Sequence, residues 1–468
     1  MKNKLFPGND WSVLNKLPDW LTDLDLSDRH HPYTNLGIYQ DQQGRYLAKG
    51  YVGVCRLKAN GRRVLDKEGR ECILRVVPRF PGLEPLAMLN ELQDDDEFAQ
   101  YLMPERALLK GSTEESKDIL DNELFYFYPN EPLIPLAHEA MKDSSLLTVM
   151  LFLNGLKAVC RKPLMGSMQQ HEENLTGKVK GKILVSPNIK HNAARARVER
   201  IYCRYQVYSM DILENRILKY ALHKANRFLN RFFSHVSTDS LQKIRQAVHY
   251  CNKALEHVSL KNITEAELRS AKAAGFYAYY KPVLEAAKMV IKGISIRADG
   301  EVEDVGYITP YAINMQKLFE FYVRAVIKRE LKKNPDWHIS LEPYFKPHEI
   351  HRNENIYLMR NVRPDIVLKY MKLEGDQSEA KYIVFDVKYK RSDNKFSARE
   401  DTHQLLSYRM LFDAEHIGFL FPNCVESSQP TEIVSRQHTK TYYYQFKVSL
   451  EEKGCAKLCQ FLGGIGSS

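Results

Sequence analysis

Long apolar runs are the first thing missing from this chain. The longest, Leu146 to Leu156 and His416 to Pro422, fall short of the roughly 18–20 residues needed to cross a bilayer, so no transmembrane helix is expected. The opening residues, Met1 to Asp10, carry two lysines and then turn polar, so no secretion signal is expected there. Cysteine is sparse and scattered. Eight are present, none in a C-x-x-C pair, and the nearest two, Cys455 and Cys459, have three residues between them. That pattern speaks against a disulfide framework or a zinc ribbon, and for reduced thiols in the cytoplasm. No G-x-x-x-x-G-K-[ST] phosphate loop occurs: Gly177-Lys-Val-Lys-Gly181-Lys182 is rich in the right residues at the wrong spacing, so the chain carries no nucleotide motor of its own. No nucleophile elbow accompanies His403 or His416, which argues against a serine or cysteine hydrolase. Internal repeats and low-complexity tracts are absent as well.

What is present is an ordinary globular composition with an uneven charge. The 468 residues are 44% hydrophobic and 27% charged, with 27 Tyr and 20 Phe, enough for two to four domains with proper cores. Lys and Arg exceed Asp and Glu by 68 to 58, yet residues 151–260 alone hold 19 basic against 7 acidic side chains. The positive charge is therefore one central block. Residues 84–123 run the other way, with 12 acidic side chains, including Asp94-Asp-Asp-Glu97, against three basic ones. Concentrated positive charge favours phosphate backbones through counterion release, which makes nucleic acid the natural partner of the centre, at Arg195, Arg197, Arg200 and Arg204 in particular. A solvated helical face is the plain alternative.

Periodicity divides the chain into three, an α+β multidomain organisation. Residues 1–130 show short apolar runs, Tyr51 to Leu57 and Cys72 to Pro78, either side of the turn Ala59-Asn-Gly61, and are expected to be a β-rich domain. Residues 131–308 read as a basic helical region: Leu146 to Cys160, Asp211 to Phe233, Asp239 to His257 and Thr264 to Lys288 all repeat apolar residues near helical spacing. After Ala298-Asp-Gly300 and Thr309-Pro310 the pattern changes. Residues 309–468 predict a helix from Tyr311 to Leu331, strands at Trp337 to Tyr344, Ile356 to Met359, Ile366 to Tyr370 and Tyr382 to Val387, a helix from Asp401 to Phe412 and a strand from His416 to Phe421.

Chemistry-bearing residues gather in this last segment. Asp365, in Arg363-Pro-Asp-Ile-Val-Leu368, begins an apolar strand, and Asp386 and Lys388 end another, where alternation puts both on one face. Two converging carboxylates, with the main-chain carbonyl of Val387 between the second acid and the lysine, make an oxygen site suited to Mg²⁺, or Mn²⁺ in its place. Lys388 is then placed to orient or deprotonate a water and to stabilise charge on a phosphate. The spacing P-D-x₂₀-D-x-K is that of PD-(D/E)XK nucleases. Upstream, Glu320 sits in an otherwise apolar helix, where an acid is commonly just exposed but where related nucleases use an additional metal-side carboxylate. Downstream, Gln404 and Tyr408 lie four apart on one helical face, as in the Q-x-x-x-Y element of RecB-like nucleases, where it supports the active site and DNA contacts.

With these residues the chain resembles the McrC family, the nuclease subunit of McrBC-type modification-dependent restriction systems. The resemblance rests on Leu318-Phe-Glu320, Arg363-Pro-Asp-Ile-Val367, Asp386-Val-Lys-Tyr-Lys390 and Gln404-Leu-Leu-Ser-Tyr408, and more loosely on Asp211-Ile-Leu-Glu-Asn-Arg-Ile-Leu-Lys219, Gly181-Lys-Ile183, Tyr51-Val-Gly-Val54 and Leu74-Arg-Val-Val-Pro78. It spans roughly residues 50–425. Val387 and Arg79 depart from the family's more usual small residue and lysine. The resemblance implies a C-terminal α/β nuclease domain cleaving DNA, modified DNA included, within an antiviral restriction complex. It also implies a partner, a McrB-like hexameric AAA+ GTPase engaged by the N-terminal part, with the basic centre near the DNA. For Glu214, Asn215 and Arg216 a packing and salt-bridge role is preferred to a catalytic one. A nuclease fold that only activates the motor, and a stand-alone repair nuclease, are the competing readings.

Overall fold

The computed structural model describes residues 3–466 apart from 19, 22, 27–31, 33, 93–94, 109–123, 130, 234–238, 295–304, 344–363, 375–376, 393–398, 425, 427–428, 435–439 and 451–454. The expected strand at Ile356 to Met359, the turn at Ala298-Asp-Gly300, and Arg363 lie outside the described residues. The fold is mixed, with helices and several sheets. The chain gathers into two units: one of Met1–Leu102, Leu109–Ile134 and Pro310–Ser468, the other of Met103–Leu108 and Pro135–Thr309. This differs from three consecutive domains, because the first and last thirds fold together.

The reason is visible in the five-stranded sheet of the first unit. Its order is Lys4–Asn9, Cys72–Val77, Tyr51–Arg56, Tyr311–Asn314 and Phe125–Phe127. The fourth strand comes from the C-terminal third and pairs antiparallel with both neighbours. Gly53 permits it, since a Cβ there, at φ +151°, would stand 2.1 Å from the Tyr311 carbonyl oxygen. The helix expected from Tyr311 is thus corrected: it starts at Met315 and runs to Lys333, with the Asn314 side chain accepting from the Lys317 amide at 3.1 Å as its N-cap. The β-rich N-terminal part also contains short helices at Pro85–Glu91, Asp96–Ala99 and Pro104–Ala107.

A second, six-stranded sheet carries the motifs. Its order is Ile339–Leu341, Ile366–Glu374, Gln377–Val387, His416–Phe421, Lys440–Lys447 and Thr431–Val434. The first three run antiparallel, the third to fifth are parallel, and the last is antiparallel again. The helix Arg399–Phe412 makes the crossover between parallel strands and packs Leu405 and Tyr408 against Val384, Ile417 and Phe419. The helix Ala456–Gly466 places Phe461 against Phe385, Tyr444 and Phe446.

The second unit is built on the helices His138–Cys160, Leu213–Phe232, Asp239–Ala254 and Tyr280–Gly293. Ile217, Leu218, Ala221, Leu222, Phe228 and Leu229 are buried at helical spacing, as their periodicity predicts. Two features correct the all-helical expectation. The stretch Thr264 to Lys288 is two helices, Glu265–Ser270 and Tyr280–Gly293, interrupted where Gly275 takes φ +58°. And Ser167–Thr176 pairs over ten residues with Arg200–Ser209, joined by Lys182–Ile183. Ser167–Thr176 is largely exposed and Arg200–Ser209 mostly half-buried, so no clean alternation of apolar and polar residues betrays them.

Candidate active site

Three elements of the first unit bring the expected residues together. Asp365 precedes the strand Ile366–Glu374, Asp386 and Lys388 lie at the end of Gln377–Val387, and Ile366 is in register with Phe385, so the two acids come from adjacent strand ends. The Asp365 Oδ2 accepts from the Val387 amide at 2.7 Å. Lys388 Nζ stands 2.7 Å from Asp386 Oδ2, as expected for side chains on one face, and donates to Gln404 Oε1 at 3.1 Å. The Gln404 amide in turn donates to the Tyr408 hydroxyl at 2.8 Å, so the two residues four apart on the helix act as one bracket.

Electrostatics sets this cluster apart. Burial lifts the Asp365 carboxyl well above its usual range, and the charges of Glu320 and Asp386 push it further; the Val387 amide and Lys388 oppose them without prevailing. Burial raises Asp386 too, against the pull of Lys388. For Lys388 burial works to lower the pKa, but Asp386, Asp401 and Asp365 outweigh it and leave it raised. The lysine is therefore an ammonium at neutral pH, a donor and a positive charge.

The donor set is wholly oxygen, drawn from buried Asp386 and half-buried Asp365 and Glu320, which fits a hard divalent cation such as Mg²⁺ or Mn²⁺. Among the described residues no three His, Cys, Asp or Glu side chains already stand together at metal-binding separation, so the fit is one of chemistry and charge. Glu320, half-buried one turn before Arg324, acts on Asp365 from the helix Met315–Lys333.

Several residues around the site escaped the sequence reading. Asp401 lies 3.4 Å from Lys388 and also pairs with Lys390; its spacing of three from Gln404 was the available signal. Arg324, 2% exposed, donates to the Asp365 main-chain oxygen at 2.8 Å. Arg79 donates to the Tyr389 carbonyl, its guanidinium 4.8 Å from the Phe80 ring and 5.3 Å from the Tyr389 ring. The Arg79 amide donates to buried Asp10 at 2.6 Å, and burial raises the Asp10 carboxyl to about 6. No local pattern marks these long-range pairings.

In the second unit, the acid-Asn-Arg signature is a brace. Arg216 forks onto Asp211 at 2.8 and 3.0 Å, holding its carboxyl well below the usual range, and Asp211 also accepts from the Ser259 amide and hydroxyl. Buried Asn215 donates to the Met165 and Met210 carbonyls at 2.7 Å and accepts from the Tyr280 hydroxyl at 3.1 Å. Glu214 accepts from the Lys272 amide at 3.2 Å.

The candidate DNA-binding arginines lie in or beside the exposed three-stranded sheet. Arg195, Arg197 and Arg200 are exposed, Arg200 at 3.8 Å from Glu199, whereas Arg204 is tied across the strands to Glu172 at 2.7 Å. Met168, Val185, Ile189 and Val198 are exposed on the same segment. Among the described residues, no helix is long and apolar enough to cross a membrane.

A protein family described as "McrBC 5-methylcytosine restriction system component" matches residues 131–422, more than half of the chain. No curated protein matches. Among solved structures, the chain is similar to one in the refined half-complex from the tetradecameric assembly of Thermococcus gammatolerans McrB AAA+ hexamers with bound McrC. The identity is 13%, 99% of each chain is covered, and the TM-score is 0.43. It is also similar to a chain of the Thermococcus gammatolerans McrBC complex, at 14% identity over 70% of this chain and 88% of that one, with a TM-score of 0.31.

Proposed function

The chain belongs to the McrBC 5-methylcytosine restriction system component family, and from that premise we propose that it is the metal-dependent DNA endonuclease subunit of a restriction complex, with a PD-(D/E)XK site. The observation that carries the reading is geometric: half-buried Asp365 and buried Asp386 at adjacent strand ends, with Lys388 2.7 Å from Asp386 and donating to Gln404 at 3.1 Å. Carboxylates drawn out of water are costly to the fold, and such groups concentrate at functional sites.

In this reading Asp365 and Asp386, with the Val387 carbonyl and Glu320, hold Mg²⁺ or Mn²⁺. Bound there, the ion supplies Lewis acidity to the phosphate and lowers the pKa of a water. The chain's own part is positional and electrostatic. Asp386 holds the Lys388 ammonium in place, and that ammonium meets the negative charge that builds on the non-bridging phosphate oxygens as a water oxygen bonds to phosphorus, giving its proton to solvent, and the P–O ester bond breaks, its departing oxygen taking a proton from solvent. Gln404, fixed by Tyr408, limits where Lys388 can point. Asp401 shares its charge. The reaction is phosphodiester hydrolysis.

The partner is an AAA+ GTPase of the McrB kind, and residues 1–130 are proposed to face it. Arg195, Arg197 and Arg200 serve DNA association, with Arg204 contributing less because Glu172 already answers its charge. The exposed apolar side chains of that segment also suit a protein contact, which its salt dependence distinguishes from phosphate binding. The reading is tested by Mg²⁺-dependent DNA cleavage by the chain assembled with such a partner: Asp365→Ala abolishes cutting, and near wild-type cutting by that variant overturns the assignment.

A further inference from the structure

The largest fully buried side chain outside the acid cluster is a cation. Arg324, on the same helix as Glu320 and one turn on, is 2% exposed. Its guanidinium donates through Nη1 to the Asp365 carbonyl at 2.8 Å and through Nη2 to the Glu342 carbonyl at 2.9 Å. Those two carbonyls mark where the antiparallel neighbours Ile339–Leu341 and Ile366–Glu374 meet the site, beyond the last ladder pair. Its charge is answered by Glu97 Oε2 at 3.2 Å. Lys328, one turn further, reaches Asp95 at 2.7 Å and Glu97 at 3.0 Å, while Asp95 caps its own short helix by accepting from the Glu97 and Phe98 amides. Part of the acidic N-terminal stretch thus spends its charge inside the fold.

A buried arginine is expensive unless its charge is answered and its fork is engaged. Here the planar fork fixes two main-chain oxygens at once, a geometry a lysine cannot reproduce. Asp365 is then held at both ends: its carbonyl by Arg324 and its carboxylate by the Val387 amide. We infer that Arg324 is a positioning residue for the Asp365 carboxylate, anchored by Glu97, so that the N-terminal segment helps to set the metal-binding geometry of the C-terminal sheet. This rests on the nuclease reading above.

The test is Mn²⁺ binding to the purified full chain, read from the loss of the free-ion electron paramagnetic resonance signal, with thermal unfolding alongside. Arg324→Lys keeps the charge and loses the fork; the expected result is a folded protein with Mn²⁺ affinity weakened about 10- to 100-fold, the range for residues that orient metal ligands. Glu97→Gln, at a half-buried position, moves affinity the same way by a smaller factor. In Arg324→Ala, methylguanidinium restores Mn²⁺ affinity and methylammonium does not. Wild-type affinity in folded Arg324→Lys and Glu97→Gln, or equal rescue by both amines, overturns the inference. Asp365→Ala separates the two levels: if it binds Mn²⁺ as the wild type does, the nuclease reading itself fails, whereas if it alone loses Mn²⁺, only the role of Arg324 does.

Discussion

Two clusters in this molecule use the same ingredients, an aspartate, a cation and a carboxamide, to opposite ends. Around Asp211 every group is answered: Arg216 forks onto it, Ser259 donates twice, and Asn215 satisfies two carbonyls and a tyrosine. Its carboxyl is pushed down, as a carboxylate in a finished structural brace is. Around Asp365 and Asp386 the acids are pushed up: burial leads for both, with Glu320 and Asp386 adding to it at Asp365 and Asp401 at Asp386, and Lys388 with the neighbouring hydrogen bonds returns less than this. The contrast teaches how to tell a brace from a site. A brace is electrostatically closed, whereas a site remains short of the charge its ligand brings.

The sharpest way to break that comparison is to neutralise one acid of the site. Asp365→Asn keeps an acceptor for the Val387 amide while removing a repelled charge, so it is expected to melt higher than the wild type and to lose cleavage by a factor of about a thousand or more, the several kcal/mol that metal assistance supplies. A variant that melts lower and still cuts would erase the distinction between the clusters. Lys388→Ala is expected to stop cleavage yet still stimulate the partner's GTPase in a folded, assembled complex; loss of both activities would show that chemistry and partner engagement are not separable along the chain.

The brace is expected to behave in the opposite sense. Asn215→Ala removes the donor to the Met165 and Met210 carbonyls and the acceptor for the Tyr280 hydroxyl and is expected to cost about 2 kcal/mol in hydrogen-exchange protection of the second unit. The pH slopes differ as well. The stability contributed by Asp211 is present above its unfolded value of about 3.9 and lost as pH falls through its depressed folded value. For Asp365, raised in the fold, the contribution is present below about 3.9 and lost as pH rises through the folded value. From pH 5 to neutrality, hydrogen exchange corrected for intrinsic rates is expected to show falling protection around Asp365 and level protection around Asp211.

How much of this could be read in the sequence depends on the distance over which a residue finds its partner. Asp386 and Lys388 are two apart on one strand and Gln404 and Tyr408 four apart on one helix, so period alone joins each pair. Ile217, Leu222 and Phe228 declare a buried helical face in the same way. Arg324 and Glu97, or Arg79 and Tyr389, meet across hundreds of residues, and no local rule links them. The strand Tyr311–Asn314 is hidden by its apolar neighbours in the helix that follows, and Ser167–Thr176 by having polar residues on both faces. Asp95 and Glu97 show in the sequence only as part of an acidic run, because nothing local marks Arg324 and Lys328 as their partners.

The smallest expected effect concerns the exposed sheet. Replacing Arg195, Arg197 and Arg200 is expected to weaken DNA association of the isolated chain and to flatten the slope of log affinity against log salt by about 0.9 for each phosphate that is no longer neutralised. Arg204→Gln alone is expected to change that slope little, since Glu172 holds the charge. An unchanged slope in the triple variant would assign the segment to a protein surface instead.

The central claim, that the charge-poor acid cluster is where DNA is cut, is tested most directly by one measurement: cleavage of DNA by the chain assembled with its AAA+ partner, wild type beside Asp386→Asn, with Mg²⁺ and with a chelator. The account predicts Mg²⁺-dependent cutting by the wild type and none above the chelator background by Asp386→Asn. Equal cutting by the two proteins, or cutting by the wild type that persists in chelator, would contradict it.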